Sequence, residues 1–276
     1  MQEIIGYILA SLIGISLGLI GGGGSILTIP VLVLVMGIGA TTATAYSLFI
    51  VGFTAFVGCL TYLRKGLVDT KIGIWFALPS LIAVFLVRKF LMPLIPIKII
   101  ETVDFTLYKD SLLMLIFAAI MLIASFFIIR DKKTEETKSV NQALNSYFFV
   151  FIIGLGVGVI TGIVGVGGGF MIIPTLVLFL KLEMKKAVGT SLFIIAINSL
   201  LGFLLADLNN QALKIDWKIL ITFSVVASGG IFVGSYLSNW IAGEKLKKGF
   251  GYFVLVMACY ILIHELFITN KFINQN

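Results

Sequence analysis

The sequence has little charge, and it holds few of the side chains that build metal or redox centres. Asp, Glu, Lys and Arg make up 12% of the 276 residues, and there are two cysteines and one histidine. Soluble domains average about 25% charged residues, so the composition excludes a water-soluble globular protein. Cys59 and Cys259 stand alone inside apolar runs, which indicates packing residues rather than a disulfide, a redox dithiol or a metal site. We therefore predict no cofactor and no metal.

Apolar residues are abundant instead and account for 59% of the chain. One packed core could not hide that much apolar surface, whereas helices in a bilayer expose Leu, Ile and Phe directly to hydrocarbon. The net charge of +7 comes from Lys and Arg in short loops, so we interpret it as topology information and predict no nucleic-acid partner. The composition predicts an all-α, polytopic transmembrane helix bundle in a lipid bilayer.

Charged residues and Gly/Pro breaks divide the chain into ten apolar runs. Most of them can cross a hydrocarbon layer of about 30 Å, but 26–38 and 170–182 are too short, and each follows a glycine cluster. We expect these two runs to be half-helices, re-entrant or interrupted by glycine. The ten runs are 4–20, 26–38, 43–63, 72–95, 111–129, 147–164, 170–182, 187–206, 217–242 and 248–268.

The chain contains an internal repeat. At an offset of 144, positions 14–50 share 15 identities with their counterparts, which is more than an apolar composition produces by itself, and further on Asp69 matches Asp216 at an offset of 147. We divide the chain into a first transmembrane repeat, 1–129, a polar linker, 130–146, and a second transmembrane repeat, 147–276.

Loop charges indicate how the repeats are oriented, because cytoplasmic loops collect Lys and Arg. If each glycine cluster is the tip of a helical hairpin, thirteen of the twenty Lys and Arg fall on one face and seven on the other. If each cluster merely kinks a long span, the division is ten and ten. The hairpin interpretation predicts two inverted repeats, a cytoplasmic linker and both termini outside.

The two glycine clusters, 21–25 and 165–169, lie inside hydrophobic sequence, where unpaired backbone costs several kcal/mol unless it lines a cavity or is buried by protein. The helices that restart at about Ile26 and Phe170 direct free N–H groups and positive dipole ends toward the clusters, so a small anion is the expected ligand. Inverted repeats bring such helix ends toward the membrane middle. The predicted substrate-binding residues of the clusters are Gly21, Gly22, Gly23, Gly24, Ser25, Gly165, Gly167, Gly168 and Gly169.

Polar residues of the flanking helices are expected to complete this site through hydrogen bonds that add no charge. Thr54 matches Asn198 across the repeat, and a buried amide is costly against lipid. For the hydroxyl groups, the alternative is a bond to the carbonyl of their own helix. The predicted substrate-binding residues of this kind are Tyr46, Ser47, Thr54, Thr190, Ser191 and Asn198.

Other interpretations are weaker. Small residues can simply let helices pack closely, and we accept this for the Gly14-xxx-Gly18 and Gly158-xxx-Gly162 pairs. An intramembrane hydrolase using Ser25 needs a base, and the single histidine, His264, lies at the far end of the last span, so we predict no enzyme. The alternative is an anion channel or a transporter of another small anion.

The doubled motif resembles a known family. The GGGGSILTIPVLV stretch at 21–33 and the GVGGGFMIIPTLV stretch at 165–177 are each followed by an Ala-x-x-x-Ser-Leu-Phe-Ile stretch, at 43–50 and 187–194. These are similar to the two repeats of TauE/SafE-type sulfite exporters. The resemblance covers nearly the whole chain. It implies a permease of the bacterial or archaeal inner membrane for small sulfur-containing anions such as sulfite, sulfonates or sulfoacetate.

Transport by such a permease needs a driving force. The spans hold few titratable groups and no obvious buried carboxylate for proton coupling. The inside-negative potential drives an anion outward by about 2.3 kcal/mol per charge per 100 mV, so export is the easy direction. One departure from the repeat pattern is Arg88, which aligns with Ser235 and gives the first half a positive charge that the second half lacks at this position.

Overall fold

The computed structural model describes residues 2–38, 40–91, 94, 98–102, 105–130, 147–164, 169–207 and 215–263. Nearly all of these residues are helical. The helices are α1 (Gln2–Ile20), α2 (Gly23–Pro30), α3 (Ala40–Arg64), α4 (Thr70–Leu86), α5 (Lys109–Arg130), α6 (Tyr147–Val164), α7 (Gly169–Pro174), α8 (Met184–Gly202), α9 (Trp217–Trp240) and α10 (Gly243–Ile263).

Five segments among the described residues are long and apolar enough to cross a membrane, and α1 and α6 contain shorter apolar helices. Many large apolar side chains on these helices are exposed, as lipid-facing residues are. A multi-pass membrane protein is therefore confirmed. The five segments are Ala45–Arg64, Thr70–Leu91, Met184–Leu205, Trp217–Trp240 and Gly243–Ile263.

A short β-hairpin interrupts the expected all-α pattern. Strand β1 (Lys98–Thr102) pairs in antiparallel fashion with β2 (Phe105–Tyr108), between α4 and α5. The expected helical runs stop at 95 and resume at 111, so the hairpin occupies a segment for which no element was predicted. Its β-branched residues, Ile99, Ile100, Thr102 and Thr106, favour strands.

Matching aspartates begin α4 and α9. The side chain of Asp69 accepts a hydrogen bond from Ile72 N at 3.1 Å, and Asp216 accepts from the backbone N–H groups of Lys218 and Ile219. Each carboxylate satisfies donors of the first turn and complements its positive dipole end. The repeat at offset 147 therefore reflects two equivalent N-caps.

The short helices α2 and α7 end in the same way. Each stops at a proline, Pro30 or Pro174, and continues as a π-helical segment, Val31–Val35 or Thr175–Phe179. Proline has no N–H and its ring clashes with the preceding turn, so the regular α-helical bonding stops there. Equivalent bonds follow in both halves, from Met36 N to Val31 O and from Leu180 N to Thr175 O.

The bundle is built mainly from helix pairs that join one half of the chain to the other. The most extensive contacts are α1 with α9, α4 with α6, α3 with α8, and α5 with α10. In the repeat, α1, α3, α4 and α5 correspond to α6, α8, α9 and α10. The α1–α9 pair is therefore equivalent to the α6–α4 pair, and α3–α8 and α5–α10 are each a pair of equivalent helices. The contact pattern therefore follows the internal repeat.

Glycines let α1 approach α9, and α6 approach α4, at backbone distance. A Cβ atom at Gly14 would lie 1.9 Å from Ala227 O, and one at Gly158 would lie 2.5 Å from Ser80 O. These two contacts are equivalent under the repeat. Gly18 also lies against α9, with a built Cβ 2.5 Å from Ile231 O. The packing interpretation of the small-residue pairs is confirmed for these three glycines.

Helices α3 and α8 run in opposite directions. A Cβ at Gly52 would lie 3.0 Å from Leu200, and one at Gly58 would lie 3.2 Å from Leu192. The residue number in α8 falls as the number in α3 rises, which defines an antiparallel pair. In this register, Thr54 lies at the same depth in the bundle as its repeat counterpart, Asn198.

Candidate functional site

The first glycine cluster separates α1 from α2. Helix α1 ends at Ile20, and Gly21 adopts φ +83°, a left-handed conformation that a side chain rarely tolerates. Gly22 is the N-cap of α2 and offers no side-chain cap to its first turn. The helix restarts at Gly23, three residues earlier than expected, because glycines fit into a first turn whose N–H groups need no intrahelical partner.

Gly21 lies against the second half of the protein. A Cβ atom there would lie 2.6 Å from Ser191 Oγ, on α8, and 3.1 Å from Ile173 Cδ1, on α7. The Ser191 hydroxyl donates to Val188 O at 2.8 Å and keeps its lone pairs. The structure therefore brings Ser191, one of the predicted polar residues, to the first glycine cluster. Its repeat counterpart, Ser47, is buried.

Gly24 has a packing role. A Cβ at this position would lie 2.5 Å from Leu17 Cγ and 2.6 Å from Ile13 O, both on α1. At the other end of the hairpin, the side chain of Met36 lies 3.1 Å from the Cβ position of Gly6. The segment from α2 to Met36 therefore packs along α1.

The second glycine cluster lies largely outside the described residues, which omit 165–168. Gly169 is described as the first residue of α7, one position before the expected restart, and it is buried. The surroundings of Gly23 and the side chains of Ser25 and Arg88 are also outside the described part of the chain, as is His264.

Tyr46 and Thr190 fix the two halves to each other. The Asp216 backbone N–H donates to the Tyr46 hydroxyl, and the Asp69 backbone N–H donates to Thr190 Oγ1 at 2.9 Å. The two bonds are equivalent under the repeat, and each joins a hydroxyl to the N-cap of a helix in the opposite half. Tyr46 and Thr190 therefore lie near opposite ends of the α3–α8 pair, and the hydroxyl of each is bonded to the N-cap of a helix in the opposite half.

Thr54 and Asn198 lie where α3 and α8 cross. The Asn198 amide nitrogen donates to Ser80 Oγ at 2.7 Å. Thr54 Oγ1 and Asn198 Oδ1 are buried and have no hydrogen-bond partner among the residues that the structure describes, and the same holds for Ser199 Oγ next in the chain. Unpartnered buried oxygens are rare in folded proteins and mark a position that merits an explanation.

A small cavity of about 30 Å³ lies beside this crossing. It is enclosed by α4, α6, α7, α8 and the early part of α3. Sequence reasoning missed three of its four polar residues, although they stand opposite apolar residues in the repeat. Its lining is Leu48, Phe76, Ser80, Val84, Val157, Thr161, Ile172, Asn198, Ser199 and Gly202.

The first glycine cluster and the crossing of α3 and α8 lie at different depths. The Tyr62 hydroxyl donates to Gly18 O at 2.7 Å. Gly21 lies against Ser191, seven positions before Asn198 on α8, which places Gly21 about 10 Å from the crossing along the helix at 1.5 Å rise per residue. The cluster therefore lies toward the end of α3 that carries Arg64.

Basic residues gather at that end. Lys65 Nζ donates to Ser235 O at 3.0 Å and to Asn239 Oδ1 at 3.1 Å, and Lys186 forms an ion pair with Asp69 at 3.9 Å. Partial burial and the nearby charge of Lys185 lower the pKa of Lys65. This end carries residues that the hairpin interpretation assigns to the cytoplasmic face.

Comparison with known proteins agrees with the glycine pattern. The family model described as sulfite exporter TauE/SafE matches residues 7–261. A probable membrane transporter protein of Xylella fastidiosa (strain 9a5c) is 28% identical over 258 residues, which cover 91% of each chain. The probable membrane transporter protein YdhB of Bacillus subtilis (strain 168) is 29% identical over 241 residues, covering 86% of this chain and 91% of the relative. The resemblance predicted from the doubled motif is confirmed, and the chain belongs to the TauE/SafE sulfite exporter family of membrane transporters.

Proposed function

We propose that the protein is a permease of the inner membrane that exports small sulfur-containing anions of the sulfite, sulfonate or sulfoacetate type. The description of the family supports the sulfur-containing class. The excess of basic residues at one end of the bundle supports a defined orientation, with that end in the cytoplasm.

In this proposal the two halves are inverted repeats. Helices α3 and α8 are equivalent in sequence, and the contacts of Gly52 and Gly58 make them antiparallel. Two equivalent helices that cross in opposite directions are what a two-fold axis in the membrane plane requires. Such a fold can expose one binding region alternately to the two sides.

The anion binds at the glycine clusters in this proposal. The observation that carries it is the interruption between α1 and α2 at Gly21–Gly22. Gly21 lies against Ser191 inside the bundle, and α2 begins after it without a side-chain cap. N–H groups and the positive dipole end of α2 favour an anion there. In the proposal, the corresponding ligands of the second half are 165–169, and Ser47 is the repeat counterpart of Ser191.

In the proposal, the two clusters are successive binding positions on one path. The first cluster lies on the basic side of the α3–α8 crossing, and the proposed inversion predicts that the second lies on the opposite side. Ser191, Ile173 and Val188, which surround Gly21, are uncharged. The anion is therefore held by hydrogen bonds without a fixed counter-charge, and the membrane potential drives it outward.

Flux through the purified protein tests the proposal. Proteoliposomes are loaded with sulfite, sulfate, thiosulfate or a short sulfonate, with and without an imposed potential. We expect saturable flux of at least one sulfur-containing anion, accelerated by a potential that is negative on the side the anion leaves. Flux that does not saturate indicates a channel, and no flux of any of these anions contradicts the proposed substrate class.

Substitution of Gly22, between α1 and α2, tests the proposed anion site. Gly22→Val adds a branched side chain at the N-cap of α2, and we expect at least about tenfold slower transport with the protein still folded, because the ligand loses its approach to the backbone. The matched control is Gly156→Val, since Gly156 is exposed on α6 and has nothing within 4 Å of its Cβ position. Normal transport by the folded Gly22→Val protein rejects the site.

A further inference from the structure

The two halves differ at the cavity beside the α3–α8 crossing. The repeat offsets of 144 and 147 assign a counterpart to each of its polar residues. Thr161, Ser199 and Ser80 stand opposite Leu17, Ala55 and Ala227. Asn198 stands opposite Thr54, so one side of the bundle carries four polar groups and the other carries one.

The equivalent position in the other half is filled with apolar side chains. A Cβ at Gly58, the counterpart of the lining residue Gly202, would lie 2.3 Å from Ile231 Cδ1 and 3.2 Å from Leu192 Cδ1. Leu17 and Ala55 are completely buried there. The polar lining is therefore found on one side of the α3–α8 crossing, and it does not follow from the architecture of the repeat.

Hydrogen bonding in the cavity leaves oxygen atoms without partners. The Ser80 hydroxyl donates its single proton to Ala77 O at 3.0 Å, so it must accept at its oxygen, and the Asn198 amide nitrogen is the donor at 2.7 Å. That assignment leaves Asn198 Oδ1 as the unpartnered atom. Ser199, which is 1% exposed, also has an unpartnered oxygen. Thr161 donates to Val157 O and keeps its lone pairs for another ligand.

The cavity also lies beside the carbonyl end of a helix. Thr161 is in the last turn of α6, which ends at Val164 and has no basic residue in that turn. The last carbonyl groups of a helix have no intrahelical donors and carry the negative end of its dipole. This end favours a positive charge, in contrast to the helix start of α2 that favours an anion.

We propose that this cavity is a binding site for a small monovalent cation, Na⁺, held by Ser199 Oγ, Asn198 Oδ1, Thr161 Oγ1 and carbonyl oxygens at the end of α6. Neutral oxygens suit a hard cation. Broken helices near the membrane middle use their carbonyl ends in this way. The residues that line the cavity include no titratable side chain, so a proton has no carrier there. A bound Na⁺ at this position supplies a coupling ion for transport.

Binding of ²²Na⁺ to the purified full-length protein in nanodiscs, without any anion substrate, tests the site. We expect saturable binding that unlabelled Na⁺ displaces and that choline at the same ionic strength does not. We also expect Na⁺ to raise the melting temperature relative to choline, because a ligand of the folded state stabilises it. Absence of saturable ²²Na⁺ binding to the wild-type protein overturns the proposal.

Two variants locate the bound ion. Ser199→Ala and Thr161→Val each remove one oxygen ligand, and we expect Na⁺ binding about tenfold weaker in each. The control is Ser224→Ala, because Ser224 is a buried serine of α9 whose hydroxyl already donates to Leu220 O at 2.7 Å. Unchanged Na⁺ binding in both folded variants overturns the proposal.

The cation site is tested independently of the proposed anion transport. It rests on membership of a transporter family and not on the identity of the anion. Na⁺ binding in the absence of anion, with normal binding in Gly22→Val, supports the cation site even if no sulfur-containing anion is transported. Anion flux that is the same in Na⁺ and in choline, together with no ²²Na⁺ binding, rejects the cation site and leaves the permease proposal standing.

Discussion

At the scale of single residues, two hydroxyl groups connect the halves of the protein. Tyr46 and Thr190 each accept a hydrogen bond from the backbone N–H of the aspartate that caps a helix in the opposite half. Their polarity was predicted to serve a ligand. A single sequence contains the repeat that relates them, but it does not reveal that each finds its partner across the bundle.

Removing one hydroxyl tests this connection. Tyr46→Phe leaves the Asp216 N–H without its acceptor, and we expect the free energy of unfolding to fall by about 1 kcal/mol, the usual net contribution of a hydrogen bond. Unfolding of the purified protein in mixed micelles measures it. The control is Tyr236→Phe, because Tyr236 is 61% exposed on α9. An equal loss in both variants would contradict the assigned role of Tyr46.

The internal repeat distinguishes the polar residues of the cavity from their counterparts. Ser80 and Ser199 both stand opposite alanines in the repeat, and Thr161 stands opposite a leucine. Only Asn198 was singled out, because a buried amide is conspicuous and a buried serine is not. Which oxygens lack partners depends on the hydrogen bonds of neighbouring helices, and these are not readable from sequence.

At the scale of elements, helix positions were predictable and their local irregularities were not. The expected run 217–242 corresponds to α9 at Trp217–Trp240, because apolar length and an aspartate before the run fix both ends. The π-helical continuations after Pro30 and Pro174 were missed. The prolines indicated an interruption, but the geometry that follows depends on packing against other helices.

The glycines of α9 allow a test of helix packing one residue apart. A Cβ at Gly230 would lie 2.2 Å from Ser11 O, whereas Gly229 has nothing within 4 Å. Gly230→Val forces α1 and α9 apart, and we expect a loss of about 3 kcal/mol or more and a low yield of folded protein. Gly229→Val, on the exposed face, should fold normally. Equal yields of folded protein for the two variants on gel filtration would show that the close packing of α1 on α9 is not needed.

At the scale of the whole molecule, the charge count predicts which ends of the helices share a side of the membrane. Lys65 and Lys186 are at one end of the bundle, where Asp69 and Asn239 bind them. Lys218 follows the Asp216 cap at the other end. The distribution of Lys and Arg predicts that the first end faces the cytoplasm.

Cysteine labelling in intact cells tests the assignment. Cys259 is exposed and Cys59 is buried, so the background is Cys259→Ala. We expect a membrane-impermeant maleimide to label Lys218→Cys in intact cells and to label Lys186→Cys only after the cells are opened. The reverse pattern would invert the topology, and with it the direction assigned to export.

The pairing of helices across the halves has a consequence for biogenesis. Helix α1 makes its most extensive contacts with α9, and α4 makes its most extensive contacts with α6. During synthesis, the glycine-lined surface of α1 therefore stays without its partner in the bilayer until α9 is inserted. Each half needs helices of the other half to cover its own packing surfaces. Cleavage of the assembled protein at 130–146 should therefore leave the two halves associated. A gene truncated at this point should yield a fragment that is degraded.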